Sequence, residues 1–216
     1  MKIEWMGHSS FILTLDSGKR ICTDPYKSGS YDGAVGYAPI NEEVNLVTIS
    51  HNHADHNCPE ELKGEFEVVD TVGEFDVAGV KLEGYSTFHD NSKGSERGDN
   101  IIFKICADGV KVVHLGDLGH RLSEVEIEKL SQVDVLLIPV GGHFTIDDKD
   151  AWDIIDKLKP KVVIPMHYKT EKLGFPISGV GEFLSKTENV THVDDLEITR
   201  GSLPSELQVY VLKHKK

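Results

Sequence analysis

The sequence predicts an α/β (α+β) chain in which two β-sheets pack together with helices on the outside. Three observations carry this. Short apolar runs bounded by turn residues fill the first half; similar runs alternate with amphipathic helical segments in the second half; and no repeat, low-complexity segment or Pro/Ser-rich linker divides the chain. A length of 216 residues fits one large domain, expected over residues 1–216, with a core sizeable enough to hold without disulfides.

The elements follow in order. Phe11 to Leu15 and Arg20 to Thr23 flank an Asp16-Ser17-Gly18 turn and read as a hairpin. Leu46 to Ile49 is a short apolar run, as a buried strand requires. Phe75 to Tyr85 reads as a second hairpin turning at Ala78-Gly79, and Ile101 to Cys106 with Val110 to His114 as a third, turning at Asp108-Gly109. Ser123 and Glu126 have capping-box spacing, with Leu122 and Ile127 as the hydrophobic staple around it. Val135 to Ile138 is a buried-strand run. Ala151, Ile154, Ile155 and Leu158 follow helical spacing, and Pro160 ends that helix. Val162 to Ile164 is a further strand, Ser178 is positioned to cap a short helix through Phe183 and Leu184, and Leu207 to Leu212 is the last strand.

Composition narrows the function. A hydrophobic fraction of 39% with 27% charged residues is that of a globular chain, and no apolar run approaches the ~20 residues of a membrane span. The Met1-Lys2-Ile3-Glu4-Trp5 start lacks the shape of a signal peptide. Cys22, Cys58 and Cys106 are odd in number with no C-x-x-C spacing, so a reducing cytoplasm is expected. A net charge of −13 repels phosphate backbones, which makes nucleic acid a poor partner and leaves a small, anionic molecule compatible only with a local positive site.

The chemistry is concentrated in His51-Asn52-His53-Ala54-Asp55-His56, directly after the strand ending at Ile49. Two histidines two residues apart on an irregular loop can face one ion, and Asp55 and His56 a neighbouring one. Mixed imidazole and carboxylate donors without cysteine suit zinc, manganese or iron and tell against a closed structural zinc site. Further candidates lie just beyond other predicted strands, at Phe88-His89-Asp90, His114-Leu115-Gly116-Asp117 and Pro165-Met166-His167-Tyr168.

In this order, with the early Thr23-Asp24-Pro25, these motifs resemble the metallo-β-lactamase superfamily, over residues 24 to 167. The finer pattern is similar to the small metal-dependent hydrolases related to ascorbate-phosphate lactonase. It consists of Gly7-His8-Ser9, the His-x-Gly-Asp at 114 to 117, Gly141-Gly142-His143-Phe144-Thr145 and the motif ending in Tyr168. The resemblance implies a four-layer αββα sandwich of two mixed β-sheets with helices on the outer faces. It also implies two divalent metal ions, zinc in the first place with manganese or iron as alternatives. One ion would take His51, His53 and His89; the other Asp55, His56 and His167; Asp117 would bridge them, and Asp24 would orient a ligand histidine.

The activity expected is hydrolysis of a small ester, lactone or phosphodiester by a hydroxide held between the ions. Asp55 would orient the nucleophile and shuttle its proton. His143, with His8 second, is the expected group for protonating the leaving group or stabilising the oxyanion; for His8 and His114 the preferred reading is hydrogen bonding behind the ligands, with His114 pointing from its strand into the site. Three irregular segments are expected to shape the substrate pocket, the first being residues 25 to 40, which hold Tyr26, Tyr31 and Tyr37 among glycines and read as a mobile aromatic loop. Residues 90 to 100 bring Lys93 and Arg97 near His89, where ordinary solvated charge is the first reading and an anion site the second. Residues 168 to 177 are a candidate third wall; Cys58 reads as a packed thiol near the site; His120, His192 and His214 receive no role, the last reading as surface. The competing functions are an iron-dependent redox enzyme on the same fold, a non-catalytic metal-binding protein, and a nuclease, which the acidic charge disfavours.

Overall fold

In the computed structural model, which describes residues 1–216, alternation of side chains decides how the first half packs. Strands β1 (Lys2–Gly7), β2 (Ser10–Thr14), β3 (Arg20–Thr23), β4 (Leu46–Thr48) and β5 (Glu67–Val69) form one sheet with β13 (Leu196–Glu197), in the order β13-β1-β2-β3-β4-β5. Phe11, Leu13, Ile21 and Leu46 point to one face and join the main core, whereas Ile12, Cys22 and Val47 point to the other and join a separate cluster. Both faces of this sheet are therefore covered, which is the two-residue period of a strand at work.

The second sheet holds β6 (Gly73–Val77), β7 (Val80–Phe88), β8 (Asp99–Ala107), β9 (Val110–His114), β10 (Val135–Pro139), β11 (Val162–Met166), β12 (Val190–Val193) and β14 (Gln208–Leu212), in the order β12-β14-β11-β10-β9-β8-β7-β6. Val135 to Ile138 are consecutively buried, the pattern of a parallel strand covered on both faces. The inner face meets the first sheet in a core of 43 buried residues. Helix α3 (Asp148–Leu158) adds Ala151, Ile154, Ile155 and Leu158 to that core, and α2 (Glu124–Leu130) adds Leu130. The Ser123–Glu126 capping box is formed, and Asp147 caps α3 by accepting from the Lys149 and Asp150 amides.

The two mixed sheets and the main hairpins stand as expected, with differences that have local causes. Strands β1, β5, β12 and β13 are too short or too polar to announce themselves; Ile3 and Trp5 alternate inward for only a few residues. Ser178 does not cap α4 (Gly181–Leu184), whose N-cap is Val180; the Ser178 amide instead donates to the Gly141 carbonyl at 2.8 Å. The outer layer over the first sheet is chiefly packed loop, with only the single turn α1 (Ser30–Gly33) in it. Tyr26 and Tyr37 in residues 25 to 40 are fully buried against each other, with ring centroids 5.5 Å apart, and the Tyr26 hydroxyl donates to the Met6 and Ala38 carbonyls. These tyrosines are core, not a mobile loop. His214 likewise packs its ring edge-on against Trp5 and Tyr37 and bonds Glu171. No helix is long and apolar enough to cross a membrane.

Strand direction sets up the site. In the first sheet β1, β3 and β4 run the same way, because β2 is antiparallel to both β1 and β3 while β3 and β4 pair in parallel. In the second sheet β7, β9, β10 and β11 likewise share a direction. His8, Asp24 and the 51–56 loop follow the C-terminal ends of β1, β3 and β4, and His89, Asp117 and His167 follow those of β7, β9 and β11. The edges of both sheets meet there: the His167 amide donates to the His8 carbonyl at 3.2 Å and the Ile101 amide to the Ser50 carbonyl at 2.8 Å. Loops beyond the carboxyl ends of parallel strands form the usual crevice for ligands in such sheets.

Candidate metal centre

Asp117 stands at the middle of the converging side chains. Its Oδ2 lies 3.0 Å from His56 Nε2, 3.2 Å from His167 Nε2, 3.3 Å from His89 Nε2 and 3.9 Å from His51 Nε2. Two donor groups flank it: His51, His53 and His89 on one side, and His8, Asp55, His56 and His167 on the other, each with its donor atoms within 4.8 Å of one another. Asp24, His51 and His56 form a third such grouping, whose carboxylate is already saturated by hydrogen bonds.

The donor set fits a metal. His51 Nε2 and Asp117 Oδ1 are buried without a hydrogen-bond partner, and His56 Nε2 and His167 Nε2 crowd onto the single Asp117 Oδ2 without well-formed hydrogen bonds, although such atoms are costly to leave unpaired. Ligands about 2.0–2.1 Å from a tetrahedral ion stand roughly 3.3 Å apart, close to the spacing around Asp117 Oδ2.

Hydrogen bonds behind these residues aim them. The Asp24 carboxylate accepts from His56 Nδ1 at 2.9 Å, from the Ser50 hydroxyl at 2.6 Å and from the Ser50 amide at 2.8 Å. His51 Nδ1 in turn donates to the Ser50 hydroxyl at 2.9 Å. One buried carboxylate thus directs the Nε2 atoms of two histidines, one from each group, toward the centre. Asp55 is held on both oxygens, by His8 Nε2 at 3.0 Å and by the Tyr31 hydroxyl at 3.2 Å. Asn100 accepts from the Asp117 amide at 2.9 Å and donates to the Leu115 carbonyl at 3.0 Å, fixing the turn that carries Asp117.

Backbone geometry serves the same end. His8, Asp24 and His167 all adopt left-handed φ, between 42° and 52°, the kind of strain that functional sites retain. Gly119 passes so close to His89 that a Cβ would meet its carbonyl carbon at 2.2 Å, which lets the loop after β9 pack on the ligand-bearing loop after β7.

Burial and neighbouring charge oppose each other throughout the site. Burial pushes His8 down to about 4, with His167 adding to the effect, and His51 down to about 3 with His56 adding. Burial would also lower His56, yet the Asp117 and Asp55 carboxylates outweigh it and hold the ring well above the usual histidine range. Asp117 shows the converse: burial would raise it, and His167 and His56 hold it far below the carboxylate range. A proton on His56 therefore occupies the place a cation would take.

The structure brings His51, His53, Asp55, His56, His89, Asp117 and His167 together. It does not bring His143. That side chain is exposed and lines a separate depression with Gly142 and Asp147, because Gly142 and His143 both take left-handed φ and turn the ring away from the cluster. The next residue, Phe144, faces the cluster instead. His8 is fully buried behind Asp55 and off the lining of the cavity, so it orients that carboxylate rather than meeting a leaving group. His114 does not point into the site; its Nε2 donates to the Ser9 carbonyl at 2.8 Å, tying the two sheets together. Cys58 is a buried thiol outside all three donor groups.

Above the cluster lies a cavity of about 340 Å³ lined by Tyr31, Phe144, Phe175 and Arg97 together with cluster residues. Phe175 comes from the expected third wall. Tyr31 comes from the first segment expected to shape the pocket and Phe144 from the 141–145 motif, though nothing local in sequence separates Tyr31 from Tyr26 and Tyr37 or favours Phe144 over His143. Arg97 is carried by a loop that Asp90 organises: its carboxylate accepts from the Ser92, Gly94, Glu96 and Arg97 amides at 2.7 to 3.0 Å. Burial alone would raise Asp90, but these four amides hold it at about 2.

Comparison with known proteins agrees with this geometry. Residues 2–167 match the model of the β-lactamase superfamily domain. The chain belongs to the metallo-β-lactamase superfamily. It is 29% identical to a metal-dependent hydrolase of the UPF0173 family from Thermococcus onnurineus, over 79% of this chain and 85% of that one. A Carboxydothermus hydrogenoformans relative of the same description is 27% identical over 86% of this chain and 92% of its own. Among solved structures, a candidate zinc-dependent hydrolase of the metallo-β-lactamase superfamily from Thermotoga maritima superposes with a TM-score of 0.82 at 40% identity, covering 99% of both chains. By this kinship the superfamily member described here stands among the metal-dependent hydrolases.

Proposed function

We propose that the site binds two divalent ions, zinc in the first place, and hydrolyses a small ester, lactone or phosphodiester. His51, His53 and His89 would hold one ion and Asp55, His56 and His167 the other, with Asp117 shared. When bound, such a pair lowers the pKa of water from 15.7 towards ~7 and polarises the substrate oxygen. The observation that carries this reading is the set of buried donor atoms without partners, gathered around one carboxylate at the floor of a solvent-open cavity.

The protein's own residues contribute orientation and apolar surface. Asp24 and Ser50 lock the histidine tautomers, so Nε2 faces the centre without a search through rotamers. His8 and Tyr31 hold Asp55 at both oxygens, leaving it one geometry in which to orient a nucleophile or move a proton. Phe144 and Phe175 give the sides of the cavity an apolar surface that offers water no hydrogen-bond partner, while its mouth stays open to solvent. The free cysteines Cys22, Cys58 and Cys106 support residence in a reducing compartment such as the cytoplasm.

The test is metal analysis of the purified protein, followed by assay of p-nitrophenyl phosphodiesters, p-nitrophenyl esters and a lactone panel with added zinc or manganese. Two equivalents of metal with turnover on one of these classes is the expected result. Two bound metals without turnover on any of them would leave a metal-binding protein as the better reading. A visible absorption band with iron bound would favour redox chemistry.

A further inference from the structure

We propose that Arg97 anchors the substrate, and that the substrate is an oxyanion (a carboxylate or phosphate) carrying a flat apolar group. This rests on the hydrolase reading for the reaction but not for the binding. Arg97 is the one Lys or Arg that lines the cavity over the donor cluster, and it lines the adjoining polar depression of about 600 Å³ as well. It therefore stands where the two spaces join.

The guanidinium is free to receive a ligand. It makes no side-chain hydrogen bond within the chain, and the one carboxylate within 4 Å is Glu96, whose Oε2 lies 3.7 Å away on a side chain 59% exposed; Asp70 and Asp99 line the polar depression beside it but make no ion pair with it. An exposed pair at that distance contributes little and gives way readily. The planar fork of arginine matches carboxylate or phosphate with two parallel hydrogen bonds, a geometry that lysine lacks.

Its position is built rather than incidental. The Arg97 amide donates to Asp90 at 2.8 Å, and Asp90 directly follows His89. The anion anchor and a donor of the metal cluster thus share one carboxylate-pinned loop. The guanidinium also lies 5.7 Å above the Phe144 ring, a cation–π contact that holds the side chain over the cavity. In a chain of net charge −13, such a local cation is what lets a small anion enter.

The apolar half follows from the walls. Phe175 meets Tyr31 and Phe144 edge-on, with ring centroids 5.4 Å and 5.5 Å apart. The cavity of about 340 Å³ is at the small end of ligand sites, with space for little more than one ring and the reacting group.

Calorimetric titration of the zinc-loaded protein tests both halves, using phenylphosphonate, phenylacetate, methylphosphonate and benzyl alcohol as probes. Arg97→Ala should weaken phenylphosphonate about tenfold or more, as loss of a charge-assisted bond implies, and leave benzyl alcohol unchanged. Arg97→Lys should recover only part of the loss. Phe175→Ala, which removes an apolar wall without touching the ring under Arg97, should weaken phenylphosphonate but not methylphosphonate; equal weakening of both would overturn the apolar half. The larger loss among phenylphosphonate and phenylacetate on Arg97→Ala identifies the oxyanion. Circular dichroism and metal content equal to wild type establish that each variant is folded and loaded; if Arg97→Ala is not, Arg97→Gln takes its place. Binding of phenylphosphonate within twofold of wild type in the alanine or glutamine variant, or no binding to wild type, would overturn the proposal. Arg97-dependent binding without turnover on any substrate would sink the hydrolase reading and leave this one standing.

Discussion

At the scale of single residues, the site depends on groups that never face the cavity. Asp24 reaches His56 directly and His51 through the Ser50 hydroxyl, so one carboxylate orients a donor on each side of Asp117. Asp24→Asn cannot accept all three bonds. It should lower zinc affinity about 10- to 100-fold, the usual cost of losing such an orienting partner; competition with a chromophoric chelator measures it. His143 provides the contrast. Its side chain is exposed and faces a different depression, so His143→Ala should leave metal content unchanged and kcat/KM within about twofold on any substrate the protein hydrolyses. A larger fall in steady-state kinetics would restore it as a proton donor.

At the scale of elements, the segment between β7 and β8 is the most informative. Asp90 closes it by accepting four backbone N–H groups, and this depresses the carboxyl to about 2. The sign follows from the folded form having the lower pKa. The stabilisation is present in full above the unfolded carboxylate value near 3.8 and is lost as pH falls towards 2. Asp90→Asn should therefore be less stable than wild type at pH 5, and the gap should narrow as the pH drops through that window. Urea unfolding midpoints of the metal-free proteins at pH 5, 3.5 and 2.5 give the comparison; a gap independent of pH would mean that the amides do not bind the charged form.

At the scale of the whole molecule, the size of the core predicts a fold that stands without metal. A core of 43 buried residues joins both sheets and the helices, a size at which small-domain staples are unnecessary. Chelation should leave the protein folded and lower its Tm. Re-addition of zinc at about a hundred times its Kd should restore about 2.7 kcal/mol for each site filled, by simple mass action. Because Asp117 and Asp55 favour the charged form of His56 more strongly than burial opposes it, loading is expected to release protons near neutral pH, and affinity should fall as the pH is lowered. Scanning calorimetry and an indicator-dye titration read the two effects; loading without proton release would show His56 to be neutral beforehand.

The sequence by itself determined which residues could be donors and roughly where the strands end. His51, His53, Asp55 and His56 are legible because they share one short loop, and His89, Asp117 and His167 because each follows a strand within a recognisable motif. Hairpin pairing, strong turn chemistry and the capping box were legible for the same reason, since each rests on neighbours in the chain. Tertiary structure decided everything that depends on direction across the chain. Tyr26 and Tyr37 look like Tyr31 in sequence, yet two are core and one reaches Asp55. His143 and Phe144 are adjacent, yet a left-handed turn sends only the second to the cavity. Sequence places Arg97 near His89 with solvated charge as the first reading, and Asn100 carries no motif; both take their places only when β8 pairs with β7 and β9, which sets Asn100 on the Asp117 amide and the loop before it beside the cavity. The donors are a property of local sequence; their common centre, and the cation above it, arise because parallel strands from two sheets end at the same edge.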